Sequence, residues 1–289
     1  MGTSNAAVMR ASDPALGWGS AGLDLDAYLA RIGYAGPLEP TAATLRALHR
    51  AHVLAIPFEN ADPAVGRPVA LDLASLQDKL VRRRRGGYCY EQNLLFAAAL
   101  ERFGFTVTGQ AARVRMGEAR LRAASHALLR VDTGEGPWLA DVGFGGSGLL
   151  EPMPLADGAE ADQGGWRFRL DRAAEREWVL RSWRDGGWFD LYAFSPEPAY
   201  AVDYAVANYY VSTHPRSPFV GRLIVERISP DHRLSLDGGD LRVRHRDGQT
   251  VETLPPEWVP AVLRERLNLD LAPDEAAAVV ELVRAKASG

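Results

Sequence analysis

The stretch Cys89-Tyr90-Glu91-Gln92-Asn93-Leu94-Leu95-Phe96-Ala97-Ala98-Ala99-Leu100-Glu101-Arg102-Phe103-Gly104-Phe105-Thr106-Val107-Thr108 changes texture at Gly104. Before it, Leu94, Phe96, Ala97, Leu100 and Phe103 run through a helix-forming segment, and Gly104 is the residue type that ends helices. After it the chain breaks into short β-like runs at 106–114, 126–131, 137–141, 166–170, 178–183 and 188–194, separated by turn residues. Helices come first and strands afterwards, without alternation, so the pattern predicts an α+β protein with an antiparallel barrel or sandwich at its centre.

Upstream of the Cys89 segment the spacing predicts further helices. Leu25, Tyr28, Leu29 and Ile32 share one face, with Gly33 as the stop. Thr41 caps a helix carrying Leu45, Leu48 and Val53, which must end before Pro57. Asp72 caps a third, with Leu73, Leu76 and Leu80 inward, that closes on the run Arg82 to Arg85. Downstream, a helix at 201–211 precedes a meander at 219–228, 233–236, 241–245 and 250–254, and two helices finish the chain, one capped near Asp274. The first 22 residues are small, polar and aperiodic, which predicts a loose arm.

Composition narrows the function. The chain has 289 residues, 47% apolar and 24% charged, with a formal net charge of −4 and one cysteine. That length supports a large core, and a single cysteine excludes internal disulfides and cysteine-based zinc sites, so a cytoplasmic, reducing location is expected. Mild acidity argues against nucleic acid as partner, and no apolar run is long enough to span a bilayer. The start Met1 to Ala6 resembles a lipidation signal but carries Ala6 where Ser or Thr is required.

Cys89 follows Arg85-Gly86-Gly87-Tyr88 and opens a helix. The positive end of the helix dipole favours a thiolate, which makes Cys89 a candidate nucleophile, although a lone cysteine also reads as a small buried hydrophobe. A nucleophile needs a base and the base an orienter. A hairpin turning on Asp132-Thr133-Gly134-Glu135 would set His126 directly opposite Asp141, Leu128 opposite Leu139 and Leu129 opposite Trp138. An ordinary hairpin ion pair is the competing reading, and a one-residue slip would dissolve the pair. The Asp141-Val142-Gly143-Phe144-Gly145-Gly146-Ser147-Gly148 segment contains a formal G-x-G-x-x-G, but Pro152 and Pro154 forbid the helix that a dinucleotide site requires. His49 and His52 read as an ordinary helix surface, Arg82 to Arg85 as a solvated helix end able to attract an anion, and His214 as part of a polar loop. No metal site is expected.

Arg85-Gly-Gly-Tyr-Cys89-Tyr-Glu-Gln-Asn93, Ile56-Pro-Phe-Glu-Asn60, Ser125-His126-Ala-Leu-Leu, Asp141-Val-Gly-Phe-Gly145 and Asn208-Tyr-Tyr-Val-Ser-Thr-His-Pro-Arg-Ser217, in that set, resemble the markers of the arylamine N-acetyltransferases. The resemblance runs from about Leu23 almost to the C-terminus and implies three regions, which with the arm outside it make four. These are an arm (1–22), a helical bundle carrying the nucleophile (23–104), a β-barrel carrying His and Asp (105–200) and an α/β lid (201–289). It implies ping-pong transfer of acetyl from acetyl-CoA to an arylamine, arylhydrazine or N-hydroxyarylamine. Cys89 would be acetylated, His126 would move protons and Asp141 would orient it. Ser125, Gly143, Phe144 and Gly145 would line the acyl and amine pocket, and Tyr210, Arg216 and Ser217 would meet CoA. A homodimer is compatible with the same resemblance. Two other thiol chemistries share the order Cys, His, Asp: a macrolactam-forming amide synthase and a cysteine hydrolase or transglutaminase-like enzyme.

Overall fold

A computed structural model describes residues 17–118 and 120–287. The expected helices form: Leu25–Ile32, ended by Gly33 at φ 68°, and Ala42–Ala55, capped by the Thr41 hydroxyl, which accepts from Thr44 N–H at 3.2 Å. Asp72 caps Leu73–Leu76, which continues as a π-helix over Gln77–Arg82. The helix Cys89–Arg102 is buried from Cys89 to Leu100 and forms the centre of the molecule, against the other helices and the strand that carries His126. The arm's first sixteen residues, including the lipidation-like start, lie outside the described residues. Trp18 is packed onto the body, with its indole N–H donating to Val107 C=O at 3.3 Å and its ring stacked on Tyr204.

Eight antiparallel strands follow in the order β5-β4-β3-β2-β9-β8-β7-β6. They are β2 (Thr106–Val114), β3 (Ala124–Thr133), β4 (Gly136–Ala140), β5 (Met153–Pro154), β6 (Ala159–Asp162), β7 (Arg167–Ala174), β8 (Glu177–Arg184) and β9 (Gly187–Phe194). The edge strands β5 and β6 lie against each other, so the sheet is a nearly closed barrel, as an α+β fold with a central barrel requires. After the helix Ala201–Thr213 comes the meander β10 (Ile224–Ile228), β11 (Arg233–Asp237), β12 (Asp240–Arg244) and β13 (Gln249–Thr253). Its free edge is completed by β1 (Phe58–Glu59), which comes from the helical half of the sequence. The helices Val259–Leu267 and Pro273–Ala287 pack an apolar core beneath this sheet. No helix among the described residues is long and apolar enough to cross a membrane.

Several local expectations need correction. The β3–β4 hairpin turns on Gly134-Glu135 alone and pairs Leu129 with Ala140, Arg130 with Leu139 and Val131 with Trp138. This register is two residues from the expected one. Gly136 at φ 109° allows the tighter turn, and the Thr133 hydroxyl holds it by accepting from Glu135 N–H and the Trp138 indole, each at 3.1 Å. A slip of two keeps every side chain on its face, so the hydrophobic pattern does not distinguish the two registers. Strand β10 begins at Ile224 and not near Phe219, because the Asn60 amide holds the preceding loop through Phe219 C=O, Arg222 C=O and Ile224 N–H. The last helix starts at Pro273, so Asp274 lies in its first turn and does not cap it. His49 and His52 are fully buried instead of lining a helix surface. Arg85 is 1% exposed, so only part of the arginine run is solvated.

Candidate active site

The double glycine before Cys89 has a steric cause. Pro57–Glu59 runs alongside it, with Glu59 N–H donating to Gly87 C=O at 3.1 Å and Gly87 N–H donating to Pro57 C=O at 3.3 Å. A Cβ at Gly86 would collide with Pro57 O and Glu59 Cγ. Two distant motifs therefore form one backbone unit. Beneath it lies a buried ionic cluster. The Arg85 guanidinium reaches Glu59 at 2.7 Å and Glu275 at 2.6 Å, and Lys79 reaches Glu91 and Asp62, each at 2.7 Å. Burial works to lower the pKa of both cations, and the surrounding carboxylates outweigh it, leaving both above their ordinary values. Glu91 also accepts from Tyr88 N–H at 3.0 Å and so anchors the first turn of the Cys89 helix.

Cys89 is the first residue of that helix and is 4% exposed. His126 lies on β3 beside a bulge: β2 pairs Ala112 with His126 and then Arg113 with Ala124, leaving Ser125 unpaired. Bulges of this kind re-aim a neighbouring side chain. The Ser125 carbonyl comes within 3.9 Å of Cys89 Sγ, which sets the thiol beside the next residue, His126, close enough for the two to interact electrostatically. His126 Nε2 donates to Asp141 Oδ2 at 2.7 Å, with both residues buried. Asp141 stands one residue beyond β4, so the contact runs diagonally from its end and not directly across the hairpin. The carboxylate accepts only, which places the proton on Nε2 and leaves Nδ1 as the ring nitrogen able to take a proton from the thiol.

Electrostatics favour a charged pair. Burial alone would lower the His126 pKa, but the Asp141 carboxylate, reinforced by Cys89, raises it to about 10. Burial would raise Asp141, and His126, Asn93 and the Gly143 N–H together hold its carboxyl below the usual range. The imidazole ring lies 5.0 Å from Phe144 and 5.1 Å from Tyr192.

Two further residues hold Asp141, and neither is among the site residues that the sequence indicates. Asn93, one helical turn after Cys89, donates to Ala127 C=O at 2.8 Å and Asp141 Oδ1 at 3.1 Å, and accepts from Val142 N–H at 3.2 Å. The i,i+4 spacing from Cys89 was the available signal. His49 accepts from Asp141 N–H at Nε2 (3.2 Å) and donates from Nδ1 to Leu150 C=O at 3.1 Å. Burial pushes its pKa down to about 4, keeping it neutral as these two bonds require. Its spacing from His52 suggested only a helix surface, so nothing in the sequence marked this role.

The other expected site residues fall into two groups. Ser125, Gly143 and Phe144 surround Cys89 and His126, and a Cβ at Gly143 would lie 2.6 Å from Cys89 Cα. Gly145, at φ 78°, backs onto Phe58 and Glu226. Tyr210, Arg216 and Ser217 gather at the end of the Ala201–Thr213 helix and in the loop after it. The Tyr210 ring stacks on His214 at 4.4 Å, Arg216 is exposed, and the buried Ser217 hydroxyl donates to Val211 C=O and accepts from Phe219 N–H. The Gly143–Gly148 loop forms turns and no helix, which removes the dinucleotide reading.

A family model described as N-acetyltransferase matches residues 41–276. The arylamine N-acetyltransferase of Mycolicibacterium smegmatis is 43% identical over 234 residues, covering 79% of this chain and 84% of that protein. The crystal structure of the Nocardia farcinica arylamine N-acetyltransferase superposes with a TM-score of 0.89 at 48% identity, covering 94% of this chain and 99% of that one. The Mycobacterium marinum arylamine N-acetyltransferase in complex with CoA gives 0.85 at 37% identity, covering 90% and 98%. The chain belongs to the arylamine N-acetyltransferase family.

Proposed function

We propose that this protein transfers acetyl from acetyl-CoA to the nitrogen of arylamines and arylhydrazines through an acetyl-Cys89 intermediate. The observation that carries the reading is the buried Cys89 thiol, 3.9 Å from the Ser125 carbonyl, set beside a His126 that Asp141 holds at 2.7 Å. Cys89 Sγ attacks the thioester carbonyl, the bond from carbonyl carbon to CoA sulfur breaks, and the departing thiolate takes the His126 proton to leave as CoA. An arylamine nitrogen then attacks the acetyl-cysteine carbonyl, its proton passes to His126, and the Cys89 thiolate departs. Exchange of one thioester for another is nearly thermoneutral, and amide formation pulls the second half forward. The burial of both Cys89 and His126 disfavours loss of the acyl group to water. Phe144 and Tyr192 offer aromatic faces beside the reacting atoms, which suits an aryl acceptor. A hydroxylamine oxygen on an N-hydroxyarylamine would meet the same acyl group.

Incubation with acetyl-CoA alone, followed by intact-mass measurement, tests this. The expected result is one acetyl group on the wild type and none on Cys89→Ala, with the acetyl lost on adding an arylamine. A wild-type protein that stays unmodified while retaining its fold refutes the assignment.

A further inference from the structure

Arg184, Arg233 and Arg244 converge where the barrel meets the C-terminal sheet. Arg184 ends β8, and Arg233 and Arg244 are direct partners across β11 and β12. Like charges placed opposite one another across a ladder repel. Arg233 and Arg244 also share the Trp166 ring, at 4.6 and 4.8 Å from its centroid, and Arg184 lies 4.3 Å over Phe189. None of the three has an ion-pair partner among the described residues. Arg181, on the same strand as Arg184, shows the contrast, being paired with both Asp171 and Asp190.

The donors are also incompletely used. Arg233 is 3% exposed, and its Nη1 donates to Gly146 C=O at 2.9 Å and Gly148 C=O at 2.8 Å, while its Nε and Nη2 have no partner. Arg184 Nη2 is likewise unpartnered. The nearby acids do not neutralise the group. Glu226 is committed to Gly146 N–H at 2.9 Å and Ser235 Oγ at 3.2 Å, and Asp185 is exposed. Burial and mutual repulsion lower Arg233 to about 9 and Arg184 to about 10, and the opposing pull of Glu226, joined by Asp185 at Arg184, does not outweigh them. Elsewhere in the chain a buried cluster of cations is matched with carboxylates. Here the matching charge is missing and the unused donors remain.

We propose that Arg184, Arg233 and Arg244 form a binding site for a phosphate-class anion. Guanidinium forks match phosphate oxygens, and the two arginines paired across the ladder would grip one group from the same side. Arg233 also holds the Gly146 and Gly148 carbonyls of the loop that begins at Asp141, the same loop whose Phe144 packs on His126, so this seam is tied to the loop at the reaction site. The anion is either a phosphate of acyl-CoA or free inorganic phosphate. The first source rests on the acetyl-transfer reading; the second does not.

Two measurements on Arg244→Gln and Arg184→Gln, each beside the wild type, decide it. The Arg244 side chain makes no hydrogen bond or ion pair among the described residues, so its replacement gives up only the contact with the Trp166 ring. In the first, inorganic phosphate and CoA are titrated against thermal unfolding at ionic strength held constant with chloride. Phosphate or CoA should raise the wild-type Tm, and the variants should lose that rise. In the second, steady-state rates with acetyl-CoA are compared with those for S-acetylpantetheine, which carries no phosphate. The preference for acetyl-CoA should fall about tenfold in each variant, the loss of one charge-assisted bond. A response in both measurements assigns a phosphate of acyl-CoA. A Tm response to inorganic phosphate with an unchanged donor preference assigns free phosphate. Equal Tm responses of variants and wild type, with the donor preference unchanged, overturn the site. A protein that transfers no acetyl group would refute the acetyl-transfer reading alone, since the Tm response to inorganic phosphate still judges the arginines.

Discussion

Replacing Asp141 with asparagine reverses the proton arrangement of the site. Asp141 Oδ1 accepts from Asn93 Nδ2 at 3.1 Å and Gly143 N–H at 3.0 Å, while Oδ2 accepts from His126 Nε2 at 2.7 Å. Both partners of Oδ1 are donors, so the asparagine carbonyl oxygen must take that place and its NH₂ must face His126. An NH₂ only donates, so Nε2 gives up its proton and accepts. The neutral ring then carries hydrogen on Nδ1 and cannot receive a proton from sulfur at that nitrogen. The charge effect acts in the same direction: without the carboxylate, burial dominates and the His126 pKa falls from about 10 to below its ordinary value. Single-turnover acetylation by acetyl-CoA should drop about 10⁴-fold, the loss caused by the same tautomer error in a Ser-His-Asp triad. Rapid quench with intact mass measures the rate, and histidine ¹H–¹⁵N spectra report the tautomer. The raised His126 pKa stabilises the wild type fully below about 6.5, and that contribution is lost as pH rises towards about 10. The depressed Asp141 carboxyl contributes above its ordinary 3.8 and is lost as pH falls through its lowered value. The stability gap between wild type and variant should therefore be widest from about pH 4 to 6.5 and close by about pH 10. An Asp141→Asn protein that acetylates within about tenfold of wild type, or keeps hydrogen on Nε2, would falsify this reasoning.

Three other perturbations probe the supports of the triad. His49→Asn keeps a donor for Leu150 but loses the acceptor for Asp141 N–H, and His49→Gln does the reverse; kcat should fall roughly 10–100-fold for Asn and recover substantially for Gln, and equal losses would show that the bond to Asp141 is irrelevant. Gly143→Ala pushes a methyl group against Cys89 Cα at 2.6 Å and Asn93 Nδ2 at 2.8 Å, so acetylation should fall by about 100-fold or more in burst kinetics, and an unchanged burst counts against that packing. Arg85→Met removes the cation that bridges Glu59 and Glu275, leaving Glu59 only the Lys79 cation at 3.8 Å and Glu275 only the Arg67 and Arg83 cations at 3.6 and 3.7 Å, and should destabilise by about 3 kcal/mol in urea unfolding; a change below about 1 kcal/mol would mean the ionic cluster is not needed for stability.

Much of the fold is legible locally because its signals are local. Thr41 and Asp72 cap the expected helices, Gly33 and Gly104 take the left-handed conformations that end them, and the texture change at Gly104 marks the start of the barrel. These features depend on neighbours within a few residues, where backbone geometry leaves few choices. The expected register is two residues off, yet His126 and Asp141 still meet, because a two-residue slip preserves the faces and a diagonal carboxylate reaches the same ring.

The sequence by itself determined the order of elements, the α+β class and the single thiol at a helix start. Tertiary structure alone decided what surrounds that thiol. His49 is indistinguishable from a surface histidine until β4 and its following loop bring Asp141 N–H onto its ring. Arg85 looks solvated until Glu59 and Glu275 meet it from 26 residues earlier and 190 residues later. Strand β1 joins the C-terminal sheet across more than 160 residues, since Asn60 bonds Arg222 at a separation of 162 and Ile224 at 164. Helix caps and glycine stops are satisfied within one turn of chain, whereas buried charges and unpaired donors find partners only after distant segments pack. Local sequence therefore predicts the first kind, and only the folded chain reveals the second.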